Sequence, residues 1–154
     1  MSRLFIVIVC VVLISFYSCK KALYSAIPTI EQLKLSKQTL KSNDPKDSLL
    51  ISFYVYDGDA DLGVDRNSGS YDIYMDESRT IQNLRFYFPE INGAIPGAGK
   101  GIEGLCNVYI TGKQLKIDST VFPKSADTLY LKIYVVDKAG HKSNTLFTNP
   151  IYLK

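Results

Sequence analysis

The chain has 154 residues, of which 46% are hydrophobic and 21% charged, and its formal net charge is +3. High aliphatic and aromatic content with so little net charge excludes a disordered chain, while sparse glycine and the lack of a heptad repeat exclude collagen-like and coiled-coil proteins. The sequence also lacks the dense basic face that binding to phosphate backbones requires, so we predict no nucleic-acid partner.

The first 18 residues have the pattern of an export signal. Arg3 precedes an unbroken apolar run over residues 4–14, which has the length of a signal-peptide core and is too short to span a bilayer alone. Ser18 then stands directly before Cys19, an arrangement that resembles a bacterial lipobox. The resemblance implies cleavage before Cys19 and acylation of its thiol, which would make the membrane a partner through acyl chains.

The match to a lipobox is incomplete. Phe16 and Tyr17 stand where a Leu-type residue and a small residue are usual. The alternative is an uncleaved signal anchor formed by residues 4–18. Both interpretations tether the protein to a membrane, so we predict a cell-envelope location, at the outer membrane, with the domain in the periplasm or on the surface.

We divide the chain into a lipoprotein signal peptide (1–18), a lipidated tether (19–26) and one folded domain (27–154). If the leader is removed and Cys19 is acylated, Cys106 is the last free cysteine and no intramolecular disulfide can form. Cys106 alternates with apolar residues in a strand-like run, which favours a buried small hydrophobe over a reactive nucleophile.

The domain has the period-two alternation of short β-strands, most clearly over 48–56 and 129–136. We find no helix pattern. Several short strands separated by turn-rich loops predict an all-β fold, an immunoglobulin-like antiparallel β-sandwich of about seven strands. Labelled A to G in chain order, the predicted strands are 27–35, 48–56, 71–75, 84–88, 105–110, 129–136 and 145–153.

Two loops that begin with an aspartate stand out. The loop between predicted strands B and C reads DGDADLGVD over 57–65, and the loop between F and G covers 137–144. The B–C and F–G loops of an immunoglobulin-like sandwich lie at the same pole. We therefore predict that Asp137 lies close to the first loop.

Closely spaced carboxylates on a flexible loop suit calcium, which takes about six to eight oxygen ligands. An EF-hand is excluded, because Leu62 occupies the glycine position and Ser68 the glutamate position. We predict an inter-loop calcium site similar to that of cadherins. The alternative is that these aspartates cap strand ends through Asx turns. The candidate ligands are Asp57, Asp59, Asp61, Asp65 and Asp137.

The first loop and the closing segment 127–153 resemble uncharacterised small lipoproteins of the Bacteroidetes, which carry a DGDGDLG-like loop and a C-terminal DxAGxxSN segment. The resemblance covers about residues 27–153 and implies an exported β-sandwich without an assigned activity. Ala60 and His141 depart from the pattern, where the group has glycine and asparagine. The matching residues are Asp57, Gly58, Asp59, Asp61, Leu62, Gly63, Asp127, Thr128, Asp137, Ala139, Gly140, Ser143, Asn144, Thr148 and Ile151.

Three tripeptides are similar to the Asp-Ser/Thr-apolar signal for O-glycosylation of exported Bacteroidetes proteins. They make Ser48, Ser119 and Thr128 candidate attachment points. The alternative is that the preceding aspartates are turn residues before strands.

We predict that the protein is not an enzyme. His141 is its one histidine, which excludes multi-histidine zinc sites, and no G-x-S-x-G elbow is present. The predicted function is a lipid-anchored binding or assembly module, with an envelope protein or a glycan as partner. The alternatives are a structural subunit of an envelope complex, with sheet tyrosines at the interface, and an envelope hydrolase.

Overall fold

The computed structural model describes residues 24–79, 82–88, 101–118 and 127–154. Within these ranges the chain is all-β, with ten strand segments and no helix, and so no helix there could span a membrane. The predicted signal peptide, Cys19 and Ser119 lie outside the described residues.

The strands form where apolar and polar side chains alternate, because one face of each strand can then turn to the core and the other to solvent. β3 shows this most clearly, since every second residue from Leu49 to Val55 is buried. The strands are β1 Thr29–Leu35, β2 Thr39–Leu40, β3 Ser48–Asp57, β4 Ile73–Glu77, β5 Asn83–Phe86, β6 Ile102–Thr111, β7 Asp127–Leu129, β8 Leu131–Val135, β9 Leu146–Phe147 and β10 Ile151–Leu153.

These strands make three sheets, with orders β1-β3-β6, β5-β4-β8-β9 and β2-β10-β7. All pairings are antiparallel except the parallel contact between β10 and β2. Buried side chains of all three sheets belong to one hydrophobic core, among them Phe53, Met75 and Ile151. The tyrosines of β3 lie on its opposite, half-exposed face, as predicted.

The ten segments exceed the predicted seven because two predicted strands are each split and because β2 lies outside every predicted strand. Predicted strand F divides at Tyr130, whose N–H donates to Ser78 Oγ and whose carbonyl accepts from the Ser78 N–H at 2.9 Å. Predicted strand G divides around Thr148, whose hydroxyl accepts from the Leu131 N–H. In both places a hydroxyl side chain takes a backbone hydrogen bond that a continuous strand would give to its neighbour.

Candidate metal centre

The two aspartate loops meet at one end of the domain. The Ala139 N–H donates to Asp61 Oδ2 at 3.0 Å, and the Lys138 N–H donates to the Asp61 carbonyl at 3.2 Å. These bonds join residues 57–65 to residues 137–144. The prediction that both loops lie at the same pole is confirmed.

Three of the five candidate ligands come together in the first loop. Asp57, Asp59 and Asp61 each offer a carboxylate oxygen, and these oxygens lie within 4.8 Å of one another. Asp57 is fully buried, Asp61 is half-buried and Asp59 is exposed. The group therefore extends from the end of β3 outwards to solvent.

The turn that brings the three carboxylates together is closed by Asp57 itself. Its Oδ2 accepts a hydrogen bond from the Asp61 N–H at 3.0 Å, an Asx-type contact. Between them Ala60 has a φ of 62°, in the left-handed region that glycine adopts without steric cost.

Two oxygens of the group are buried without a hydrogen-bond partner. They are Asp57 Oδ1 and Asp61 Oδ1. Buried polar atoms in proteins are normally paired, and an unpaired carboxylate oxygen costs more than a neutral one. The loop therefore offers two inward oxygens that an added cation would satisfy.

The burial and the closeness of these carboxylates raise the pKa values of Asp57 and Asp61. Burial raises the pKa of Asp57 from 3.8 to about 7, and the neighbouring carboxylates of Asp59 and Asp61 add to the rise. Burial also raises the pKa of Asp61, and the negative charge of Asp137 contributes next. A divalent cation would reverse this effect, because it stabilises the ionised form of every carboxylate around it.

The other two candidate ligands lie outside the group of three. Asp65 Oδ1 accepts from the Asn67 N–H at 2.9 Å, which closes a separate Asx turn. Both oxygens of buried Asp137 are taken by His141, one by its backbone N–H at 2.7 Å and one by its ring Nδ1 at 2.9 Å. The charge of Asp137 thus affects the pKa of Asp61, while its carboxylate oxygens hold the second loop through their contacts with His141.

Asp72 is a residue that the sequence analysis missed. It is fully buried, and its Oδ1 accepts from the N–H groups of Gly63 and Val64, at 3.0 and 2.8 Å. Its Oδ2 accepts from the Phe88 N–H at 2.8 Å. Asp72 thereby fixes the second half of the aspartate loop against β4. A charged residue at the entry of a predicted apolar strand was the available signal.

The segment before β1 docks at the same pole. The Gly58 N–H donates to the Ser25 carbonyl at 2.7 Å, and the Tyr24 hydroxyl donates to Glu103. The Tyr24 ring lies 5.2 Å from that of Tyr56, between centroids. A Cβ atom on Gly58 would lie 2.2 Å from the Tyr24 carbonyl oxygen, so this close approach requires glycine.

The described glycosylation candidates follow structurally engaged aspartates. Thr128 is exposed and Ser48 half-buried at the start of β3. Asp127 is buried and paired with Arg79, and Asp47 pairs with Lys37. These contacts support the turn-and-cap role of both aspartates, and glycosylation stays a prediction.

Cys106 packs half-buried against the core, as the sequence predicts. Burial raises the pKa of its thiol to about 12, so the thiol stays protonated and is a poor nucleophile at neutral pH.

Comparisons with protein-family models, curated protein sequences and solved structures found no match. The donor set of the aspartate group is all carboxylate oxygen, which suits a hard cation such as Ca²⁺ or Mg²⁺.

Proposed function

We propose that this chain is a lipid-anchored lipoprotein of the cell envelope, acylated at Cys19 and held at the outer membrane. Its domain acts as a non-catalytic binding or assembly module, and calcium bound by Asp57, Asp59 and Asp61 stabilises one pole of that domain. The observation that carries the calcium proposal is the pair of buried, unpartnered oxygens on Asp57 and Asp61.

We further propose that the domain is an immunoglobulin-like sandwich. Predicted strands A, B and E correspond to the order β1-β3-β6, and D, C, F and G to the order β5-β4-β8-β9. An immunoglobulin constant domain divides its strands as ABED and CFG. This chain differs in two respects, because the fourth strand pairs with the third, and because β7 and β10, from predicted strands F and G, form a separate sheet with β2. The shared core of the two sheets supports the sandwich arrangement.

In this proposal the cation acts by fixing two loops as one edge. It would neutralise the repulsion among the three carboxylates and hold Asp61, which already binds the second loop through its side chain and its carbonyl. Three aspartates supply only part of the ligands that calcium takes, which leaves positions for water or for a partner's oxygen atoms. Exposed Asp59 lies on the side from which a partner would approach.

Calorimetric titration of the protein with Ca²⁺, together with thermal unfolding, tests the site. We expect heat of binding and a rise in Tm, with about 2.7 kcal/mol of added stability when free calcium is 100 times Kd. The double variant Asp59→Asn/Asp61→Asn should lose both effects. Asp65→Asn is the matched control, because it removes a charge from the same loop but outside the group, and it should keep them. If the wild type showed neither heat of binding nor a change in Tm, the site would be ruled out.

Mass spectrometry of protein extracted from membranes tests the anchor. We expect a chain that begins at Cys19 and carries the mass of acyl chains, whereas the variant Cys19→Ala should remain uncleaved and unacylated. An intact Met1 or an unmodified Cys19 in the wild-type chain would contradict lipidation.

A second candidate function is that of a structural subunit in an envelope complex. Exposed aromatic side chains favour it, since Tyr130 and Phe147 are 46% and 60% exposed and their rings lie 6.1 Å apart. Aromatic residues are enriched at protein interfaces. Affinity purification from envelope extracts separates the two candidates. A stoichiometric protein partner that no longer co-purifies with the Phe147→Ser variant favours the structural subunit. A bound glycan favours the binding module.

A further inference from the structure

The sheet edges of this domain differ in how they are protected from pairing with other strands. β1 is interrupted by a register shift between Glu31 and Lys34, where Gln32 has a φ of 55°. β5 has four residues and carries Arg85, and β2 and β9 have two residues each. Bulges, charges and short length are the features by which natural sheets block edge pairing.

β6 has none of these features. Its ten residues pair with β3 in one unbroken register, from Ile102 opposite Asp57 to Thr111 opposite Ser48. Glu103 is its one charged residue, and the strand contains no proline. Among the described residues, no strand pairs with its other edge. A long, regular and nearly uncharged edge of this kind is a template for another strand.

The outer face of β6 is also unusually apolar for a surface strand. Leu105 is 52% exposed and Tyr109 is 64% exposed. Asn107 lies between them, and its Oδ1 accepts a hydrogen bond from Ser52 at 2.6 Å. Asn107 is thus flanked on the outer face by two exposed apolar residues, Leu105 two positions before it and Tyr109 two positions after it.

We propose that β6 is a dimer edge, at which two copies of this chain pair antiparallel through β6 with the two-fold axis at Asn107. In this register Leu105 of each copy lies opposite Tyr109 of the other, and both apolar side chains become covered. On the inner side Cys106 lies opposite Val108. The result is a continuous six-stranded sheet of order β1-β3-β6-β6-β3-β1.

The sequence of β6 favours this register over its neighbours. Antiparallel partners must share a face, so the axis has to pass through a residue, and Cys106 and Val108 are the nearest alternative centres. An axis at Cys106 would place Leu105 opposite Asn107 and Tyr109 opposite Glu103. An axis at Val108 would place Tyr109 opposite Asn107 and Leu105 opposite Thr111, so both alternatives put polar groups against apolar ones. With the axis at Asn107, Glu103 lies opposite Thr111 and no like charges meet. Because β6 is complementary to a second β6 in this register, the inferred partner is a second copy of the chain rather than another protein.

Disulfide trapping in membranes of cells that make the full chain tests the dimer. In a Cys106→Ala background, Asn107→Cys places one thiol from each copy directly across the axis, where facing Cβ atoms in such pairs are about 5 Å apart. We expect most of this variant to run as a reducible dimer after mild oxidation. Glu103→Cys is the matched control on the same face, because its two copies would lie about 27 Å apart, and it should stay monomeric.

A second pairing guards against misfolding of the Asn107 variant. Cells that make Leu105→Cys and Tyr109→Cys chains with different tags should yield the mixed disulfide dimer in large excess over either self-pair. Absence of this dimer, or equal trapping at Glu103 and Asn107, would overturn the proposal. Trapping of a different protein at Asn107 would overturn it as well, because the edge would then belong to another partner.

Discussion

Two groups of carboxylates lie at opposite ends of β4, and only one of them includes a paired cation. At one end Arg79 pairs with Glu77 and Asp127, whose side chains are fully buried. At the other end Asp57, Asp59 and Asp61 lie close together, and no basic side chain in the described part of the chain forms a salt bridge with them. The first group carries its own cation, and the second has two oxygens that lack any partner.

The difference separates a structural use of buried charge from a site that needs an additional ion. A compensated cluster is complete once the chain folds, and its loss is felt in stability. An uncompensated cluster raises the free energy of the folded state until a proton or a metal ion neutralises it. Removing a charge should therefore destabilise the first group and, without calcium, stabilise the second.

The largest effect is expected for Arg79→Met. Removing the guanidinium leaves the buried carboxylates of Glu77 and Asp127 without their cation, which should cost about 3 to 5 kcal/mol of unfolding free energy. Urea unfolding measures it. Arg85→Met is the control, because Arg85 pairs with half-buried Asp76 at 2.8 Å, and it should cost about 1 kcal/mol or less. Equal losses in the two variants would contradict a structural role for the Arg79 cluster.

A smaller loss is expected for Asp72→Asn. The amide group would place a donor against one of the N–H groups that Asp72 now accepts, so the variant should lose about 2 to 3 kcal/mol. Because the contact by which Asp72 fixes the aspartate loop against β4 would be weakened, calcium affinity should fall as well, although Asp72 is not among the three proposed ligands. Calorimetry alongside urea unfolding measures both changes, and a stable variant with full affinity would refute this role.

The opposite sign is expected for Asp57→Asn in the absence of calcium. An asparagine retains an oxygen for the Asp61 N–H and removes one of the repelling charges, so at pH 8 in chelator the variant should gain about 1 to 2 kcal/mol. Added calcium should then stabilise the wild type and leave the variant unchanged. If the variant were less stable than the wild type in chelator, the aspartate group would not be under repulsion.

The smallest shift is expected with pH. Because the pKa of Asp57 is raised to about 7, the folded protein keeps a proton that the unfolded chain releases above about pH 4. The contribution of Asp57 to stability without calcium should therefore be greatest below about pH 4 and should be lost as pH rises through about 7. One unit, from pH 5.5 to 6.5, should change it by less than about 1.4 kcal/mol. Thermal unfolding at a series of pH values in the presence of chelator measures this dependence. Asp57→Asn is the control, and its stability should change less with pH over the same range.

The sequence predicted those parts of the fold that depend on local alternation. Ile51, Phe53 and Val55 alternate with serine or tyrosine residues, and all three are buried in β3. The meeting of the two aspartate loops was also predictable, since it follows from the order of strands in a sandwich. Both predictions rest on patterns that are repeated along several residues.

The parts that could not be predicted depend on single contacts between distant segments. The Ser78 contact that interrupts predicted strand F joins residues 52 positions apart, and the partners of Arg79 lie on two different strands. Which of the five aspartates would group together was decided by His141, which occupies both oxygens of Asp137. None of these contacts leaves a periodic signal in the sequence.

The hydrogen bond between Gly58 and the Ser25 carbonyl has a mechanical consequence. A pulling force applied at the N-terminal end of the domain would not peel β1 away first. It would reach β3 through Gly58 and β6 through the Tyr24 contact with Glu103. The load would thus be shared by three strands at the end of the domain where the carboxylates converge, and resistance to stretching should increase when an ion stiffens that end.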